Sequence, residues 1–238
     1  MSNSKIIIVI VAYNAGKTLE RIVRDIPKGI ADDVLLVDDA SCDDTVKVAR
    51  RLNLKIFSHG KNVGYGATQK TGYREALKQG ADIVVLLHAD YQYDPAKIPE
   101  LVGPILEKRA DAVFGSRMMN GGALKGGMPL WKYLINKSST VLINLVFGAH
   151  LTEYHSGFRV YSSNILRNIG FETNSDNYVF DAEMITRMIA RNYRIIEIPI
   201  PTRYFKEASS ITLGPCILYG LGFLGILLRH LFIKDKSN

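Results

Sequence analysis

The sequence predicts an α/β fold in which a mostly parallel central sheet carries helices on both faces. One observation is periodic. Short apolar runs rich in β-branched residues, at 6–11, 34–37, 83–87 and 112–114, alternate with stretches of helical spacing at 18–26, 45–52, 67–79 and 95–109. Strand–helix alternation of this kind joins parallel strands by right-handed crossovers. The other observation is compositional. Among 238 residues, 47% are hydrophobic and 22% charged, which suits one large domain and excludes a disordered chain.

The first run, 6–11, is too short for the core of a signal peptide and reads as a buried strand. Helix-start signals follow in order. Asp43 or Asp44 stands before 45–52, and Asp94 caps 95–109 with Pro95 at the first helical position. Gly121, Gly122, Gly126 and Gly127 bracket Lys125 in a stretch that reads equally as a surface loop or an active-site lid. Helices are expected at 131–147 and 180–192, and a strand at 195–198 before the breakers Pro199 and Pro201.

Residues 211–228 hold no charge and are followed by Arg229, His230, Lys234 and Lys236. Eighteen apolar residues lie at the lower edge of a membrane span. Gly214, Pro215, Gly220, Gly222 and Gly225 weaken the stretch as a soluble helix. Three readings compete: a buried docking helix, a helix lying in the membrane surface, and a true span. The basic flank favours contact with anionic headgroups. The expected organisation is therefore a catalytic domain over 1–210 and an apolar, membrane-associated helix with a basic tail over 211–238.

The formal net charge of +7 suits anionic partners. No arginine-rich tract with interleaved aromatics occurs, so nucleic acid ranks last among them. The two cysteines, Cys42 and Cys216, form neither a CxxC pair nor a Cys/His metal spacing, which argues against a disulfide framework and for the reducing cytosol.

In open α/β sheets ligands bind beyond the carboxyl ends of the strands. Asp38 and Asp39 follow the second apolar run, where carboxylates can accept from a base N–H or ribose hydroxyls; Asp43 or Asp44 reads instead as a helix cap. After 83–87 come His88, Asp90 and Gln92, two residues apart, so that extended backbone would point them to one side. Such oxygen-rich donors suit Mg²⁺ or Mn²⁺ bridging a diphosphate. His88 reads as a ligand, a hydrogen-bond donor or a satisfied polar residue. Gly16-Lys17-Thr18 imitates the end of a P-loop, but Val11 stands where its first glycine is required. Gly64-Tyr65-Gly66 reads as a turn opening a helix.

The ordered set Val11-Ala12-Tyr13-Asn14, Val37-Asp38-Asp39-Ala40-Ser41, Asn62-Val63-Gly64-Tyr65-Gly66, Ala89-Asp90-Tyr91-Gln92, Gly115-Ser116-Arg117 and Ser156-Gly157-Phe158-Arg159 resembles glycosyltransferase family 2. Within it, the chain is most similar to the dolichyl- or polyprenyl-phosphate mannosyltransferase and glucosyltransferase branch. The resemblance spans roughly residues 5–210 and implies a GT-A fold, a divalent cation and inversion at the anomeric carbon. By position it implies nucleoside contacts from Ala12, Tyr13, Asn14, Asp38 and Asp39. It places His88, Asp90 and Gln92 on the metal positions, Arg117 and Arg159 near sugar and acceptor phosphate, and Arg203 on a later phosphate-reaching arginine. The departures are Ala15 where the family has an acid, His88 where it has the first metal aspartate, and Ser210 where a lysine is frequent, with Lys206 as a stand-in. His88 as a nitrogen ligand would favour Mn²⁺ over Mg²⁺.

The expected reaction is transfer of a hexose from a GDP- or UDP-sugar to a polyprenyl phosphate at the cytosolic face of a membrane. A phosphate nucleophile is already anionic near neutral pH and needs no strong base. A saccharide or other hydroxyl acceptor, as in cell-surface polysaccharide synthesis, would need one, and Asp181 and Glu183 are the available pair. Their plain alternative is to complement the helix dipole. A non-catalytic nucleotide-sugar binder, with His88 marking a decayed metal site, is a further reading, and so is a membrane-docked interaction module, which Asp39, Asp90 and Arg117 argue against.

Overall fold

A computed structural model describes residues 4–204 of the protein. The expected apolar helix and basic tail over 211–238, together with Lys206 and Ser210, lie outside the described residues.

Among the described residues seven strands form one sheet: β1 (Ile6–Ala12), β2 (Asp33–Asp38), β3 (Lys55–Ser58), β4 (Ile83–His88), β5 (Ala112–Ser116), β6 (Arg159–Ser162) and β7 (Ile195–Pro199). Their order is β3-β2-β1-β4-β6-β5-β7. All neighbours pair in parallel except β6, which runs antiparallel to both β4 and β5. The sheet is thus mixed and mostly parallel, as the alternation predicts.

The helices are α1 (Leu19–Asp25), α2 (Thr45–Arg51), α3 (Tyr65–Lys78), α4 (Ile98–Leu106), α5 (Gly122–Lys125), α6 (Leu130–Phe147), α7 (Ser163–Asn168) and α8 (Phe180–Ala190). Successive residues of β1 serve two separate cores. Ile7, Val9 and Val11 pack with Tyr73 of α3 and with Phe180 and Ile185 of α8. Ile6, Ile8 and Ile10 pack with Leu19 and Ile22 of α1 and with Leu101 and Val102 of α4. A strand covered on both faces has no polar side, which is why 6–11 reads as an unbroken apolar run. α3 lies especially close to the sheet, because a Cβ on Gly72 would overlap Val9.

The start signals act as expected. Asp94 accepts from the Ala96 N–H ahead of Pro95, opening a 3-10 turn over Pro95–Lys97 that leads into α4. The single helix expected at 95–109 is therefore a turn and a shorter helix. Asp43 Oδ1 accepts from the Thr45 N–H at 2.9 Å and its Oδ2 from the Gly16 N–H at 2.9 Å, so it serves α2 and the β1 loop together. The glycine-rich stretch forms α5, with Gly122 and Gly126 seated against the carbonyls of Ile200 and Thr202.

Two strands have no apolar run to announce them. β3 is a four-residue edge strand with exposed ends. β6 begins on Arg159, a residue type seldom fully buried, and is deeply covered all the same.

Candidate active site

The carboxyl ends of β1, β2 and β4 open on a cleft of about 780 Å³. Its walls also include residues of α3, α6 and α8 and of the loop before β6.

One end is built by the loops after β1 and β2. Ala12, Tyr13 and Asn14 line it, and the Tyr13 ring is 54% exposed. Asn14 has φ of 52°, a left-handed conformation that asparagine tolerates. Its N–H donates to Ser41 Oγ and its Oδ1 accepts from the Cys42 N–H, each at 2.8 Å, clamping the two loops together. Asp39 lines the cleft. Its Oδ1 pairs with His59 Nδ1 at 2.8 Å and accepts from the Val63 N–H at 2.9 Å, and its Oδ2 accepts from the Gly64 N–H at 3.0 Å. Asp39 thus shapes the entry to α3. Asp38 is outside the lining and 2% exposed. Its Oδ2 accepts from the Ser41 N–H at 3.2 Å, while its Oδ1 has no hydrogen-bond partner among the described residues.

His88, Asp90 and Gln92 all line the cleft. Extended backbone does not bring Asp90 and Gln92 together, however. Tyr91 between them has φ of 58°, and the Gln92 N–H donates to Asp90 Oδ1 at 3.0 Å across that turn. Asp90 Oδ2 has no hydrogen bond among the described residues. The His88 imidazole sits between the rings of Tyr65 and Tyr93 and over Gly157, where a Cβ would overlap it. Burial pushes its pKa below the ordinary imidazole value, against the pull of Asp90 and Asp181. Burial thus favours the neutral form, in which imidazole can ligate. No group of three or more His, Cys, Asp or Glu able to hold a metal occurs among the described residues. One carboxylate, one amide oxygen and one imidazole nitrogen nonetheless fit a cation held largely by substrate phosphates, which needs only one or two protein carboxylates.

Arg117 lines the cleft, but most of its guanidinium is already engaged. Its Nε donates to Glu153 Oε1 at 2.8 Å, an Nη also reaches that carboxylate, and its backbone N–H donates to Oε2 at 2.7 Å. Its other Nη donates to Tyr204 Oη at 3.2 Å. Arg159 and Arg203 are not among the lining residues. Arg159 is 1% exposed and lies behind the wall. Its Nε donates to the Ser156 carbonyl at 2.8 Å, an Nη donates to the Tyr154 carbonyl at 2.9 Å, and its guanidinium covers the Phe114 ring. Arg203 pairs with Asp94 at 2.8 Å and stacks over Tyr91, behind the turn that presents Asp90 and Gln92. Of the three arginines, only Arg117 reaches the cleft.

Asp181 lines the cleft, but its carboxylate is committed. Oδ2 accepts from Tyr65 Oη at 2.9 Å and Oδ1 from Gln69 Nε2 at 3.1 Å, with Arg159 3.7 Å away. Glu183 turns to the Ser175 N–H, 2.6 Å from its Oε2.

Residues 7–170 match the profile described as Glycosyl transferase family 2. The chain belongs to glycosyltransferase family 2. It is 28% identical over 242 residues to the UDP-N-acetylglucosamine–dolichyl-phosphate N-acetylglucosaminyltransferase of Methanococcus voltae, covering 93% of this chain and 96% of that one. It is 29% identical over 206 residues to the undecaprenyl-phosphate mannosyltransferase of Micrococcus luteus, covering 82% of each. Among solved structures, glucosyl-3-phosphoglycerate synthase of Mycobacterium tuberculosis, crystallised with Mn²⁺, UDP and glucosyl-3-phosphoglycerate, superposes with a TM-score of 0.75. It shares 20% identity over 96% of this chain and 80% of that one, a likeness of fold.

The structure adds residues to this family 2 site that motif reading passes over. Glu153 holds Arg117. Ser139 of α6 pairs with His155 Nε2 at 2.7 Å in the cleft wall. Burial pushes the His155 pKa down to about 4, and Glu153, which would raise it, does not compensate. Trp131, Ile135 and Leu142 of α6 add apolar surface to the cleft beside Lys132, Asn136 and Ser139. Their only sequence signal is the apolar stripe of α6, which reads equally well as a core-facing helix.

Proposed function

We propose that this glycosyltransferase transfers a hexose, with inversion, from a GDP- or UDP-sugar to a polyprenyl-type lipid phosphate at the cytosolic face of a membrane. The observation that carries the reading is that one cleft joins polar and apolar groups. Asp90, Gln92 and Arg117 line it, and α6 adds Trp131, Ile135 and Leu142 beside Lys132, Asn136 and Ser139. A polar head joined to a hydrocarbon tail is the acceptor chemistry such a cleft suits. The printed activities of the M. voltae and M. luteus relatives support the same class of acceptor.

α6 supports the membrane part of the reading. Leu130, Trp131, Leu134, Ile135, Val141, Leu142 and Leu145 are all exposed on it, Leu145 at 76%. At 100° per residue they fall on one stripe, opposite the buried Thr140 and Ile143. An apolar stripe of this kind favours an interfacial position. Among the described residues no helix is long and apolar enough to cross a membrane.

In the reaction so proposed, Ala12, Tyr13, Asn14 and Asp39 frame the nucleoside end of the cleft. Asp90, Gln92 and His88 would hold a Mn²⁺ or Mg²⁺ ion, which supplies charge neutralisation for the departing diphosphate. Arg117, kept in place by Glu153, faces the sugar and acceptor phosphate with the remaining donors of its fork. The phosphate oxygen attacks the anomeric carbon from the face opposite the diphosphate; the new C–O bond forms as the bond to the diphosphate breaks. Positioning and charge stabilisation do the work. A hydroxyl acceptor would need a free carboxylate as base, and both Asp181 and Glu183 are engaged elsewhere. Arg159 and Arg203 support the walls and do not contact phosphate in this reading.

The test is a panel of GDP- and UDP-sugars offered to the purified protein with polyprenyl phosphate and Mn²⁺ or Mg²⁺, reading out labelled lipid. Cation-dependent lipid-linked sugar is expected. Donor binding without turnover on any acceptor would make the protein a binder and overturn the proposal.

A further inference from the structure

The groups behind His88, which lines the cleft beside Asp90, are joined in one directional chain. Tyr73 Oη donates to Gln69 Oε1 at 2.7 Å, which fixes the orientation of that amide. Gln69 Nε2 then donates to Asp181 Oδ1 at 3.1 Å, and Tyr65 Oη donates to Asp181 Oδ2 at 2.9 Å. A carboxylate holding both of these bonds accepts at each oxygen, and the Arg159 guanidinium stands 3.7 Å away. Tyr65 has one proton, and Asp181 takes it as a hydrogen bond. What Tyr65 Oη turns to His88 Nε2, 2.9 Å distant, is therefore a lone pair. The hydrogen of that bond must come from Nε2. No hydrogen bond engages His88 Nδ1 among the described residues.

We propose that Tyr65 and Asp181 are positioning residues that fix His88 as its Nε2–H tautomer, so that the Nδ1 lone pair serves as a nitrogen donor to the divalent cation. The inference rests on the cation reading given under Proposed function and deepens it. A carboxylate in this position would need no tautomer control, since all its oxygens accept. An imidazole has one acceptor nitrogen, and the hydrogen bond at the other decides which one it is. Tyr65 is itself held, stacked on Tyr178 and edge-on to His88. The imidazole rests on Gly157, which leaves it little room to turn over. A nitrogen in the donor set shifts preference towards Mn²⁺ over Mg²⁺.

The experiment has two independent readouts. Long-range ¹H–¹⁵N correlation spectra of the cation-free protein, with His88→Gln to assign the signal, report the tautomer directly. The Nε2–H form is expected in the wild type, and its loss is expected in Tyr65→Phe and in Asp181→Asn. Mn²⁺ affinity, read by electron paramagnetic resonance in the presence of UDP or GDP, should fall ~10-fold or more in either variant, the scale of removing an outer partner of a metal-bound histidine. In a His88→Asp background, Tyr65→Phe should leave Mn²⁺ affinity unchanged, an outcome a merely structural tyrosine would not give. An Nδ1–H tautomer in the wild type overturns the proposal, as does a Tyr65→Phe variant that keeps both tautomer and affinity. Cation-independent turnover would instead overturn the parent reading, and the donor role of Nδ1 with it. The variants' circular dichroism separates either result from misfolding.

Discussion

Glu153 Oε1 lies 2.8 Å from Arg117 Nε, and the same carboxylate also accepts from the Arg117 backbone N–H. The two residues are 36 positions apart, on opposite sides of α5 and α6 in the sequence. Both are buried. Burial opposes the guanidinium charge, and the Glu153 carboxylate more than restores it, so the Arg117 pKa is raised. Removing one partner of a buried pair leaves an uncompensated charge and costs ~3–5 kcal/mol. Glu153→Ala should therefore lower the Tm by many degrees, as measured by thermal unfolding. Arg117→Ala should slow transfer by ~100-fold or more, the effect of losing one electrostatic stabiliser. An unaltered Tm in Glu153→Ala would count against this pairing.

Asp90 is the one carboxylate of the proposed cation set. Asp90→Asn keeps an oxygen able to accept from the Gln92 N–H but loses the charge. The turn should survive, with an unchanged circular dichroism spectrum, while turnover falls ~100-fold or more. Near wild-type turnover in the purified variant would remove Asp90 from the reaction.

Gly157 lies against the His88 imidazole, and any Cβ there would overlap it. The Gly157 N–H also donates to Tyr93 Oη at 3.0 Å, so the backbone has little freedom to retreat. Gly157→Ala should push the imidazole out of its slot. The expected result is weaker cation binding, measured by Mn²⁺ titration, with donor nucleotide affinity in the absence of cation unchanged.

His155 has a folded pKa of about 4 against an ordinary 6.5. Between those values the unfolded chain binds more protons than the folded one, so stability falls as pH falls. Its contribution is complete above pH 6.5 and is lost on the way down through pH 4. His155→Gln should flatten this part of the Tm-against-pH curve, read as the difference between variant and wild type. A parallel pair of curves would show that His155 is not buried in its neutral form.

The exposed stripe of α6 predicts a separable effect on the membrane. Leu134→Glu with Leu145→Glu changes two exposed positions and should leave the fold intact. Binding to vesicles containing anionic lipid should weaken at least several-fold in co-sedimentation. Cation-dependent donor hydrolysis in detergent should persist. Unchanged vesicle binding would remove α6 from the membrane contact.

Local chemistry is legible where a residue's role depends on its own neighbours in the chain. Asp94 before Pro95 caps as expected because a cap bonds backbone only two residues away. The apolar runs mark β1, β2, β4 and β5 because strands covered on both faces tolerate no polar side. β3 is missed because an edge strand of four residues buries too little to need an apolar run. β6 is missed because Arg159 is satisfied by the Ser156 and Tyr154 carbonyls, a solution that lies in the folded loop.

The same division runs through the site. His88, Asp90, Gln92, Arg117 and the residues after β1 are identifiable because strand ends in a parallel sheet converge on one edge, whatever the rest of the fold does. Composition and motif order alone also determined the family and the α/β class. Only the tertiary structure showed that Arg159 and Arg203 are engaged by protein groups and absent from the described lining of the cleft, that Glu153 holds Arg117, and that Asp181 is tied to Tyr65. The reason is physical: whether a charged side chain meets substrate or protein depends on partners far off in sequence, brought within about 3 Å by packing. No local pattern encodes that distance.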